Sequence, residues 1–156
     1  MDIRELPKIL IKEFCVDAEQ KSTRDIQKNR SEIWQGSLAE GIGVTVFDNL
    51  AVKGKYLKIW REKDCGRQDG IMRRPSFFEM YVGPEFLYHH QEKGNIYRDK
   101  VFMSWPLNRT NLKDETCITI ICRMIMRAQE LIESGAFEFP TFAVSSEYPD
   151  GVRIPI

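Results

Sequence analysis

Apolar residues change their spacing several times along this chain, and each change marks an element. Ile9, Leu10, Ile11, Phe14, Cys15 and Ala18 recur at helical intervals behind Pro7. A proline suits a first helical turn, where its missing N–H is not needed. Ser22-Thr23-Arg24-Asp25 reads as a capping box, followed by Ile26, Ile33 and Trp34 and stopped at Gly36. N-terminal helices are therefore expected between residues 7 and 35.

Beyond Gly41 the period falls to two. Ile42, Val44 and Val46 alternate with Gly43, Thr45 and Phe47. Leu57 and Ile59 oppose Tyr56, Lys58 and Trp60, and Phe78, Met80 and Val82 oppose Phe77, Glu79 and Tyr81. Residues 86–89 and 96–105 read as further strands, while polar residues 63–74, with Gly66 and Gly70, read as an exposed loop. The helical period returns after Lys113 or Asp114. Ile118, Ile121, Cys122, Ile125, Ala128 and Ile132 form a wide stripe, flanked by Cys117, Met124 and Leu131 and ended by Gly135. Residues 139–144 suggest a late strand, and 152–156 a short extended tail.

Strands gathered in one run, with helices before and after, predict an α+β fold. The expected architecture has N-terminal helices, a mainly antiparallel sheet of about four to six strands, and one long amphipathic helix near 114–134 packed on it. At 156 residues the chain fits a single domain with a core large enough to need no staple.

Composition narrows the classes of function. The chain is 42% apolar and 29% charged with zero net charge, so it is neither disordered as a whole nor a basic coat for nucleic acid. The charge is uneven. Residues 53–74 hold eight cations against three anions, whereas 113–150 hold seven acids against three bases. Such polarity suits self-association or a charged partner. The N-terminus has no signal-peptide pattern, and the apolar stretch 117–128 is broken by Arg123 and Arg127, so no membrane association is expected. Cys15, Cys65, Cys117 and Cys122 are scattered as free thiols are in a reducing compartment, which points to the cytoplasm.

No catalytic, metal or cofactor signature emerges. His89 and His90 are adjacent, so on a strand they point to opposite faces and clamp no ion. Gly41-Ile42-Gly43 lacks the third glycine of a dinucleotide loop, and a β-bulge or close backbone approach explains it better. The chemistry that remains is aromatic and basic. Tyr56, Lys58 and Trp60 share one strand face, with Arg73 and Arg74 in or near the adjoining loop. Tyr, Trp, Met and Arg enrich interface centres, so the leading expectation is a non-catalytic protein binding another protein or itself, as a homodimer for instance. Rings two residues apart with a lysine between them also fit stacking of single-stranded nucleic acid. A third expectation is a small-molecule pocket, enzymatic or not, between the sheet and the 114–134 helix. Against all three stands the plain reading that Tyr56 and Trp60 pack in the interior while the Lys58 stem reaches water.

Overall fold

The computed structural model describes residues 1–25, 30–49, 54–83, 93–98, 101–106 and 113–139. It shows an α+β fold: an antiparallel sheet with helices on one face. Helix α1 spans Leu6–Phe14 and helix α2 spans Glu115–Glu133. The strands are β1 (Glu19–Asp25), β2 (Arg30–Ala39), β3 (Ile42–Asn49), β4 (Lys55–Arg61), β5 (Gly66–Gln68), β6 (Ile71–Arg73), β7 (Ser76–Val82), β8 (Lys93–Arg98) and β9 (Val101–Pro106). Seven of them form one sheet in the order β1-β2-β3-β4-β7-β9-β8, and β5 and β6 pair separately as a hairpin.

The core lies between this sheet and the helices. Leu6, Leu10 and Ile11 of α1 meet Val44, Val46, Leu57, Ile59, Met80 and Met103 of the sheet, all buried. Cys117, Ile121, Met124, Ala128 and Ile132 of α2 close the same cluster. Asp114 caps α2 by accepting from the backbone N–H of Thr116 and Cys117, which satisfies donors that the first turn leaves open. Gly135, at φ 77°, ends the helix as a glycine can.

Five local expectations are corrected. The N-terminal helical region ends at Phe14, and the second part of it forms β1 and β2. β3 would otherwise present an open edge, and pairing across the sheet overrides a four-residue capping match. Gly36 is no helix stop: a Cβ there would lie 2.9 Å from Cys15 Cβ, where the exit from α1 crosses β2. The α2 stripe is rotated from its expected centre, leaving Ile118 41% and Met126 61% exposed, with Cys122 between them. In β7 the register shifts opposite Ile59 and Trp60, so Phe77 joins Phe78 in the core cluster instead of facing away from it. The expected strand over 96–105 is two strands, β8 and β9. The readings at 86–89, His89 and His90 and 152–156 lie outside the described residues, as does the 139–144 strand beyond Phe139.

Residues near the N-terminus close the fold onto the segment after α2. Asp2 bridges Glu138 in parallel, and the Ile3 N–H donates to the Glu138 carbonyl at 2.9 Å. Arg127 of α2 donates to both carboxylate oxygens of Glu13 on α1, at 2.7 and 2.8 Å. Lys8 and Lys12 of α1 lie over the Trp34 ring of β2, which locks the helix to the outer half of the sheet.

Candidate interaction face

The sheet face opposite the helices carries two cross-strand rows set by register. One is aromatic: Phe47 pairs with Tyr56, Tyr56 with Tyr81 and Tyr81 with Phe102. The other is polar: Thr45 pairs with Lys58, Lys58 with Glu79 and Glu79 with Ser104. Trp60 stands one step along, opposite Gly43 and Ser76.

Side chains in these rows largely satisfy one another. The Tyr56 and Tyr81 rings are tilted at 47° with centroids 5.0 Å apart. Burial, and the neighbouring Tyr56, push the Tyr81 phenol well above its usual range. Lys58 Nζ is 3.3 Å from Glu79 Oε1, with the two side chains 23% and 13% exposed. The Ser76 hydroxyl donates to the same oxygen at 2.6 Å. Trp60 Nε1 donates to Thr45 Oγ1 at 3.1 Å, its ring covers Gly43, and the Arg74 guanidinium sits 5.0 Å from the ring centroid. A Cβ on Gly43 would overlap the Trp60 ring, so the close approach expected at that glycine is present.

The structure thus places Tyr56, Lys58 and Trp60 half-buried along β4, the central strand of the sheet, with the exposed Arg74 over the Trp60 ring. Arg73 stands apart on β6. That strand belongs to a hairpin whose residues are exposed on both strands. Asp69 at φ 52° and Gly70 at φ 78° make its two-residue turn, the left-handed pair that suits the twist of a tight hairpin. Residues 63–74, read as a loop, hold this hairpin and a single 3-10 turn, Glu62–Asp64. The Asp-Gly dipeptide was the signal for it. Across the hairpin Arg67 pairs with Met72 and Gln68 with Ile71, while Arg73 faces Gly66, which has no side chain. Ile71 is 54% exposed and Met72 47%.

Beside the hairpin root is a polar groove of about 200 Å³. Asp17, Glu19, Ser37 and Glu62 line it, with the Trp60 indole and the Gly41–Gly43 backbone as a wall. Asp17 Oδ1 accepts from the Ser37 backbone N–H at 2.8 Å, a bond that holds the Asp17 carboxyl below its usual range. Asp17 lies in the connection after α1, and Glu62 starts the turn after β4; only folding unites them.

Arg61, the core-side neighbour of Trp60, is buried. It donates to both oxygens of Asp64 at 2.9 Å and to Asp114 Oδ2 at 3.3 Å. The Asp64 hydrogen bond raises the Arg61 pKa further. At Asp114 burial acts upward, but the N–H groups of Cys117 and Thr116 and the Arg61 contact outweigh it, and the carboxyl is held low. Arg61, one of the eight cations of residues 53–74, is the clamp between β4 and the start of α2. Among the described residues no three His, Cys, Asp or Glu side chains converge as a metal site.

No protein-family model matches this chain, and neither a curated protein nor a solved structure is similar to it.

Proposed function

We propose that this is a non-catalytic binding protein that engages a partner protein through the β5–β6 hairpin and the adjoining Trp60–Arg74 end of β4. The carrying observation is the hairpin itself: two short strands exposed throughout, holding Ile71 and Met72 in water beside Arg67 and Arg73. Exposed apolar side chains on an isolated hairpin contribute little to folding, and arginine with methionine is a composition enriched at protein interfaces. The aromatic rows supply the rigid base. They do not act as an open platform, since Tyr56 is tilted on Tyr81 and Lys58 is paired with Glu79.

Single-stranded nucleic acid ranks behind a protein partner for the same reason: the Trp60 ring packs on Gly43 and already carries the Arg74 guanidinium, so part of it is engaged where a base would stack. A cytoplasmic setting is part of the proposal, supported by the four free cysteines. Among the described residues no helix is long and apolar enough to cross a membrane.

The test is a photo-crosslinking amino acid at position 72, with one at exposed position 133 as control, in cells expressing the chain. A protein conjugate specific to position 72 and lost on Arg67→Ala/Arg73→Ala is expected. Equal labelling at both positions, or conjugates indifferent to the arginines, would remove the proposal.

A further inference from the structure

We infer that the hairpin's partner is a second copy of this chain, whose groove beside Trp60 receives it. The inference rests on the hairpin reading above and names its partner. It begins with charges that the single chain leaves apart. Arg67 and Arg73 form no ion pair with a described residue, and neither does Glu62 at the groove. Asp17 accepts from a backbone N–H and meets no cation among the described residues. Opposite charges of this kind, exposed on hairpin and groove, complement each other between copies. The chain's zero net charge puts no overall repulsion between two copies.

The chemistry of the groove agrees with an arginine guest. Its wall is the Trp60 indole, and the chain already places one guanidinium, that of Arg74, 5.0 Å from that ring. A planar guanidinium reads carboxylates with paired N–H donors, and Asp17, Glu19 and Glu62 present them around a volume of about 200 Å³. The hairpin offers Arg73 two residues from Ile71, so both point to one side of the strand. Gly66 opposite Arg73 leaves that side open for approach.

Geometry also selects the type of assembly. Hairpin and groove meet at one root, Glu62, which lines the groove and starts the turn leading to β5. Two adjacent complementary patches are exchanged by a two-fold axis, each hairpin entering the other copy's groove. That arrangement closes as a dimer and exposes no further docking site.

The experiment is sedimentation equilibrium of the whole chain and its variants, with circular dichroism confirming that each folds. The wild-type chain is expected to dimerise at low salt and to weaken as salt rises to about 0.5 M, because the pairing charges are exposed. Arg67→Glu/Arg73→Glu and, separately, Asp17→Lys/Glu62→Lys should each raise the dimer dissociation constant roughly tenfold or more. An equimolar mixture of the two variants should recover a heterodimer, since one intact hairpin then faces one intact groove. A wild-type monomer at all concentrations, or a dimer unchanged by both variants, overturns the inference. So does a mixture that fails to reassociate. A wild-type monomer whose position-72 conjugates contain another protein would sink the second copy alone and leave the hairpin reading standing.

Discussion

Single side chains on β4 serve opposite purposes because a strand turns successive residues to opposite faces. Trp60 is fixed by Thr45, Gly43 and Arg74, so Gly43→Val should cost about 2 kcal/mol through overpacking, measured by urea denaturation. In a Trp60→Leu background the same change should cost much less; equal costs in both would separate the two residues. Arg61→Met breaks a buried charge away from Asp64 and Asp114 and should cost about 2–4 kcal/mol. The thiols differ as sharply. Burial, with Asp17 nearby, pushes Cys15 up to about 12, and burial raises Cys117 as well. Cys122 is exposed and should be the first to react with a thiol reagent in the native protein, with Cys15 and Cys117 waiting for unfolding. Rapid modification of Cys15 at neutral pH would contradict that order. Because the Cys15 thiol is favoured neutral in the fold, its contribution is present below the ordinary thiol pKa and fades as pH rises from there towards 12.

Elements were legible in proportion to how far local pattern decided them. The long C-terminal helix was plain because Asp114, the apolar period and Gly135 agree. β3, β4 and β7 were plain from alternation. β1 and β2 were not, because their apolar residues are sparse and their partner is the rest of the sheet. The rotation of α2 was hidden for another reason: with isoleucine or cysteine at 117, 118, 121 and 122, only docking against α1 and the sheet selects the buried side. At the candidate site the rings were visible in sequence, but their mutual pairing was not, and the groove joins residues from both sides of the first three strands. The hairpin is separable from the core. Replacing residues 66–73 by a short glycine linker should shift the melting temperature by less than about 4 °C, since none of those residues is buried. A larger loss would mean that the hairpin is a structural brace.

At the scale of the molecule, paired carboxylates link stability to pH, and two of them, Glu13 and Asp114, also tie distant parts together. Asp2 is held low chiefly by Arg4, Glu13 by Arg127 and Asp114 by the start of α2 with Arg61. A depressed carboxyl stabilises the fold fully above its ordinary value, near 3.8 for aspartate and 4.5 for glutamate, and that contribution is lost as pH falls through the lower folded value. Thermal stability should therefore be flat from pH 7 to about 5 and fall below about 4; a profile rising on acidification would refute this origin. The bridge between Asp2 and Glu138 has a temporal consequence. A ribosome delivers the first residues of the fold long before the residue they pair with. Until α2 has emerged, the buried side of α1 and its neighbours lacks the other half of its cover, so the nascent chain carries an unfinished apolar layer until then. Completion of the fold therefore waits for residue 138, and a chain stalled before it should be far more prone to aggregate than its length alone would imply.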